Sequence, residues 1–415
     1  MIRIAAASVR SRMIPTILVI LALTTSMALL LAVDRIQDAT KKGFNQSLGG
    51  VDLVLGPRGS GIELILYTVF HLGRPTNNIT TETLKDIERS SLIDWAIPIA
   101  LGDSHRGFRV ISTTTRYFDH IQFGGDQSLT FSAGRPFNNL NDVVIGSTVA
   151  SELGYSVGSS IFVTHGSEGL GATHDDFAFR VSGILDPTGT PTDQAIFVSL
   201  EGYELIHLGW KNGSKTVSLK NLDISQIPKE RLYPKTITAA YLGLTSKLNL
   251  FKVSRSINEY PEEAVSAVIP GIALAELWSM VGSVDFVFRI FNWLIIGISL
   301  IGMVTMILTG LDSRTREMTI LRSLGATPAH LGAMVLIETA LVSIISVFLS
   351  IGLVRILTWG VADFLSQWAG IRIDLTWISF PEFKILMIIV LAGLCASLIP
   401  AALVYRRSLA RGFSH

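Results

Sequence analysis

Two imidazoles and two carboxylates crowd one glycine-rich stretch, Thr164 to Asp176: His165, His174, Asp175 and Asp176. Such side chains suit zinc chemically, but their spacing matches no established zinc motif. The competing reading is a solvated loop. Glu338 is a second candidate, because it interrupts a long apolar run. An ionisable group inside a membrane span is costly and is by default a functional residue. Its plainer reading is a structural ion pair near the inner interface, facing Arg314 or Arg322.

Catalytic arrangements are missing elsewhere. Gly146-Ser-Thr lacks a nucleophile-elbow pattern, and Glu262-Glu263 follows Pro261 in a polar turn. Gly56-Pro-Arg-Gly-Ser-Gly61 is glycine-rich but has no lysine, so it reads as a turn and not a phosphate cradle. The chain is read as non-enzymatic, with no catalytic or cofactor-binding residues of its own.

The most informative segment runs from Gly310 to His330. Met318, Leu321 and Gly325 fall on one helical side, with Ile320 and Leu324 beside it. Arg314, Arg316, Glu317 and Arg322 cover the rest. Gly325 suits a helix stop. Thr327 and Pro328 suit the cap and first position of a following helix. The pattern predicts a short amphipathic helix in a basic turn. By charge alone, such a turn could serve only to orient the chain in a membrane.

The elements around this segment follow from composition. The chain has 415 residues, 49% of them hydrophobic and 16% charged. A mean hydropathy of +0.47 implies several membrane spans plus a soluble domain. The net charge of +1 gives no reason to expect a nucleic-acid partner. Cys395 is the single cysteine, which excludes an internal disulfide framework.

Four apolar runs, at 13–33, 287–309, 331–358 and 383–405, are each long enough to cross a bilayer. The first exceeds the apolar core of an ordinary signal peptide and lacks a clean cleavage site, so it reads as an uncleaved anchor. Arginines cluster in 1–12, 310–330 and 406–415, while the 359–382 loop carries only Arg372. The positive-inside rule then places both termini and the 310–330 loop in the cytoplasm, and residues 34–286 outside. Strand and helix patterns in 34–286 predict two α/β halves split by a β-rich insert near 125–215. The apolar helix pattern of the second span begins near Ala273, far ahead of the bilayer. The rival to one unbroken stalk helix is a break at Gly282.

Arg316-Glu-Met-Thr-Ile-Leu-Arg-Ser-Leu-Gly-Ala326 resembles the R-E-(I/M)-x-(I/V)-L-R-x-L-G-A signature of the MacB/FtsX/LolC-type ABC transporter permeases. The order of one span, a large outer domain and three spans is similar too. The resemblance implies a multi-pass protein of the cell (inner) membrane. It implies that Arg314, Arg316, Glu317, Met318, Leu321, Arg322 and Gly325 dock on a separate ATPase subunit, present in two copies. ATP and Mg would be bound there. A second permease copy, identical or paralogous, membrane lipids and an outer partner are implied as well. The fused ATPase of one branch of the family has no counterpart in this sequence. An alternative within the family is an FtsX-like regulator of a cell-wall enzyme. A zinc-binding membrane protein is a third reading.

Overall fold

The computed structural model describes residues 13–124, 126–165, 177–208, 210–211, 214–215, 227–228, 231–313, 320, 323, 325–369 and 378–410. The chain divides into two compact units. One comprises Ala39–Val281 with Leu365–Arg372. The other comprises Met1–Asp38, Gly282–Phe364 and Ile373–His415.

The first unit is built on an eleven-stranded mixed sheet. Its strands are β1 (Leu53–Pro57), β2 (Ile93–His105), β3 (Phe108–Thr113), β4 (Phe131–Gly134), β5 (Asp142–Ile145) and β6 (Ser160–Ile161). Then follow β7 (Thr164–His165), β8 (Phe179–Leu185), β9 (Ala195–Ser199), β10 (Ala239–Leu244) and β11 (Val265–Val268). The order is β11-β1-β10-β2-β3-β9-β5-β8-β4, with β7 added to β2 and β6 to β8. The pairs β3/β9 and β5/β8 are parallel, and the other pairs are antiparallel.

Strand β2 is thirteen residues long and joins the two halves. Its first part pairs with β10 and its last part with β3, with an irregularity between Leu101 and Ser104. Continuous apolar runs form the interior strands. All of Ala195–Ser199 and Ala239–Leu244 is buried, as expected of strands covered on both faces. At β8 burial alternates, with Phe179, Val181, Gly183 and Leu185 inside.

Helices cover the faces. Helix α1 (Gly61–Thr68) starts at the cap Ser60, and its Leu64 and Ile65 join a core with Trp95, Ile97, Phe118, Phe197 and Tyr241. Helix α2 (Thr81–Glu88) is capped by Thr80, whose hydroxyl accepts from Thr83 N. With α3 (Leu250–Asn258) it buries Leu84, Ile87, Val253 and Ile257 against Leu53, Leu55 and Leu242. A third core, with Val110, Val143, Ile145, Phe179, Ile196 and Val198, fills one face of the insert half. Helix α4 (Leu200–His207) contributes Ile206 there and starts on the cap Ser199. The two α/β halves and the β-rich insert expected from the sequence are therefore present.

Among the described residues, four helices are long and apolar enough to cross a membrane. In chain order they are Met13–Gln46, Pro270–Ser313, Pro328–Ala369 and Phe380–Ala410. They are called M1 to M4 below. M2 is one unbroken helix of 44 residues, with no break at Gly282. Half of the M1 span is buried within the fold, against 22–33% for the other three, so M1 is the most enclosed of the four. Ser26 of M1 meets Ser299 of M2 at 2.8 Å between hydroxyls, and both are buried.

Candidate functional site

The segment between M2 and M3 is described only in part. Arg314, Arg316, Glu317, Met318, Leu321 and Arg322 lie outside the described residues. Ile320 is exposed, and Ser323 Oγ donates to its carbonyl at 2.7 Å. Gly325 has φ +93°, a conformation that a Cβ makes costly. Thr327 Oγ1 accepts from the backbone N of His330 at 3.4 Å and meets His330 Nδ1 at 2.7 Å, and Pro328 opens M3. A left-handed glycine followed by a hydroxyl cap and a proline turns the chain sharply into M3.

Glu338 is 2% exposed, so its carboxyl is enclosed by the helices and does not face lipid. Polar side chains continue along M3 from it: Thr339, Ser343, Ser346 and Ser350 are all buried. Thr339 and Ser346 each return a hydrogen bond to the carbonyl four residues back, and Ser346 Oγ also reaches Ile20 O of M1 at 3.5 Å.

An ion pair that the sequence reading missed ties M1 to M4. Arg35 Nε donates to Glu382 Oε1 at 2.5 Å and Nη2 to Oε2 at 3.3 Å. Their side chains are 12% and 5% exposed. Glu382 also accepts from Ser379 N at 2.6 Å, while Ser379 Oγ accepts from Glu382 N at 3.4 Å. That reciprocal arrangement is a capping box. Its signal was legible as Ser379-Phe-Pro-Glu382 before an apolar run.

The histidine-rich loop is also divided. His165 stands in β7 opposite Asp103 of β2, and Thr164 stands opposite Ser104. Thr164 Oγ1 donates to Ser104 O at 2.9 Å, which fastens that register. His174, Asp175 and Asp176 lie outside the described residues. Among the described residues, no three His, Cys, Asp or Glu side chains converge on one point.

Two histidines that drew no attention in the sequence are engaged nearby. His207, at the end of α4, donates from Nδ1 to Tyr203 O at 2.7 Å. Its Nε2 lies 3.4 Å from Oδ2 of Asp103, whose side chain is fully buried. Burial opposes charge on His207, but the hydrogen bond and charge of Asp103 outweigh it, so its pKa is held above the ordinary imidazole value. His105 sits between Phe162 O, 2.6 Å from Nδ1, and Tyr155 Oη, 2.9 Å from Nε2. Burial lowers its pKa, against the bond to Phe162 O.

The comparisons bear on both units. The MacB-like periplasmic core domain family matches residues 16–229, just over half the chain. The FtsX-like permease C-terminal family matches residues 289–409. No curated protein matches the sequence. Among solved structures, the chain is similar to the extracellular domain of the ABC-type transporter YknZ from Gram-positive bacteria. That alignment has 12% identity and a TM-score of 0.30, and covers 52% of this chain and 98% of that one. It is also similar to the periplasmic region of MacB from Actinobacillus actinomycetemcomitans. Here the identity is 10% and the TM-score 0.32, with 56% and 94% of the two chains covered. Such superpositions are partial, and the assignment rests on the sequence families. With four membrane-spanning helices, a large α/β domain and both family matches in the expected order, the chain belongs to the MacB/FtsX-type family of ABC transporter permeases.

Proposed function

We propose that this chain is the membrane subunit through which a separate ATPase moves the α/β domain, to export or extract a substrate or to transmit force to an outer partner. The observation that carries the reading is helix M2. It begins among core residues of the α/β unit, Ala273 and Leu274, and continues to the buried span residues Met303 and Ile307. It ends at Ser313, where the arginine-rich signature begins. A continuous hydrogen-bonded helix of about 66 Å is stiff enough to carry a displacement along its axis.

In this reading the 314–324 segment docks on the ATPase through Met318 and Leu321. Arg314, Arg316, Glu317 and Arg322 set the register, and Gly325 supplies the reversal into M3. ATP and Mg are held by the ATPase, in two copies beneath two permease chains, identical or paralogous. This chain is not itself catalytic. It resides in the cell (inner) membrane, with both termini and the 310–330 loop in the cytoplasm. Reporter fusions after Lys211 and after Ser323 should report outside and inside respectively, and a cytoplasmic signal from the Lys211 fusion refutes that orientation.

The match of residues 289–409 to the FtsX-like family supports a second reading, in which the outer partner is a cell-wall enzyme that the permease activates. Capture of a hydrolase by the outer domain, in place of a small export substrate, favours it.

The test of coupling is co-purification of the ATPase with wild type, Leu321→Asp, Glu317→Ala and the outer control Glu262→Ala. Leu321→Asp buries an unpaired charge in the proposed interface and should abolish retention. Glu317→Ala should weaken it, and the control should leave it unchanged. Equal retention by all four proteins sinks the coupling role of this segment.

A further inference from the structure

The carboxyl ends of the parallel strands β3 and β9 finish side by side, with Thr113 opposite Ser199. Strand β5 runs antiparallel to β9, so the loop that leads into it, Asn138 to Asn141, reaches the same end of the sheet. Phe177, just ahead of β8, arrives there too, because β8 is parallel to β5. In open α/β sheets, ligands occupy the crevice outside strand carboxyl ends where the chain direction switches. Here that crevice has a volume of about 1080 Å³. Small-molecule sites usually enclose roughly 300–1,000 Å³, so this one has room for a ligand of more than one ring.

Its floor is apolar. Leu205 and Leu232 are buried there, with Phe177 and Leu140 packed against them. Its rim carries hydrogen-bonding groups. Asn139 donates to Asp142 Oδ2 from its backbone N at 2.9 Å and from Nδ2 at 3.1 Å, which fixes the loop. Asn138 and Asn141 are exposed and line the opening. Thr114 Oγ1 is buried without a hydrogen-bond partner, so turning towards the crevice costs it no bond. Glu201, in the first turn of α4, and Tyr233 complete the rim. Burial, with Glu201 and Glu88 next, raises the pKa of Tyr233, so its phenol stays protonated and can donate.

The charges define the ligand class. Among the described lining residues Glu201 is the only charged one, and it repels an anion. A cation would be drawn to the Tyr233 ring, but Lys85 Nζ already stands 5.4 Å from its centroid. A neutral ligand suits both. An extended peptide pairs along an open strand edge, whereas this crevice crosses strand ends. Side-chain amides and a carboxylate match vicinal hydroxyls, which each donate and accept.

We propose that this crevice binds a neutral oligosaccharide, with Asn138, Asn141, Glu201 and Thr114 taking its hydroxyls and Phe177 meeting a C–H face of a ring. The site lies wholly within the α/β unit and stands independently of the transport reading.

The experiment uses the full-length protein in a detergent without a sugar headgroup and reads binding by saturation-transfer NMR. The probes are the neutral trimers of glucose, mannose and N-acetylglucosamine, with spermidine and citrate as charged comparisons. At least one trimer should bind, and more tightly than either charged probe. Glu201→Leu, and Asn138→Ala combined with Asn141→Ala, should each weaken that binding by more than about tenfold, the loss expected of one hydrogen bond to a charged group or two neutral ones. Thr114→Val should weaken it while leaving the thermal midpoint no lower than that of wild type, because the hydroxyl it removes has no partner in the domain. Glu262→Ala should bind as wild type. Failure of all three trimers to bind, a preference for spermidine, or wild-type affinity in either Glu201→Leu or the double asparagine variant would each overturn the assignment.

Discussion

Arg35 and Glu382 form a two-pronged ion pair that fastens the C-terminal half of M1 to the first turn of M4, some 350 residues later. The same carboxylate closes the capping box with Ser379, so one side chain holds both the helix start and the neighbouring helix. Removing the cation strands a buried charge, which ordinarily costs about 3–5 kcal/mol. Arg35→Leu should therefore lower the thermal midpoint in detergent sharply. In Arg35→Leu/Glu382→Gln no charge remains and the glutamine still caps, so more than half of the loss should return. Additive losses in the double variant would show that the pair is not what holds M1 to M4.

Acid should weaken the α/β unit through His71. Burial, with the charge of Arg109 second, pushes its pKa down to about 4. The unfolded chain takes up a proton near pH 6.5, and the folded chain does not until about pH 4. Stability contributed by neutral His71 is thus fully present above pH 6.5 and is lost as pH falls towards 4. The ring is only half-buried, so water trims the effect to about 1–2 kcal/mol. His71 also has φ +56°, which asparagine tolerates. His71→Asn should flatten the pH dependence of unfolding between 4 and 6.5, and an unchanged slope would dismiss His71 as its source.

Gly146 precedes the short helix Ser147–Leu153 and packs on backbone. A Cβ there would stand 2.3 Å from Asp193 O and 2.5 Å from Thr192 O. Neither atom can rotate away. Asp193 is itself tied to Thr188 N, Gly189 N and Thr188 Oγ1. Gly146→Ala should cost about 1–3 kcal/mol, as overpacking does. Gly59→Ala, which meets open space, is the control and should unfold as wild type. Equal denaturant midpoints for the two would reject the clash.

Much of this architecture was legible because the signals are local. Twenty-residue apolar runs declare membrane helices, and Thr80 with Glu82 declares the start of α2. The long helix through the second span was expected from about Ala273 and begins at Pro270. Within the expected β-rich insert, Ser160 to His165 forms two short pieces, β6 and β7, on different partners. Helix α1 was not foreseen, because Ile62 to Tyr67, apolar but for Glu63, shows no clear period and follows a glycine-rich turn. Long-range pairings were invisible for a physical reason. Nothing in Asp103 or His207 alone indicates that a strand bulge and a helix end will meet. Arg35 sits among Asp34, Asp38, Lys41 and Lys42, where the charge that will meet Glu382 looks like every other.

The placement of β1 sets a timetable for biogenesis. Its neighbours in the sheet are β10 and β11, so Val54 pairs with Tyr241 and Val268, roughly 200 residues further along the chain. At typical synthesis rates of about 5–20 residues per second, M1 is available for insertion about 10–40 s before β11 exists. Throughout that interval β1 is an apolar strand with two unsatisfied edges, tethered to a membrane. The domain cannot close progressively from its N-terminus. It closes only when the final strand arrives, immediately ahead of the second span.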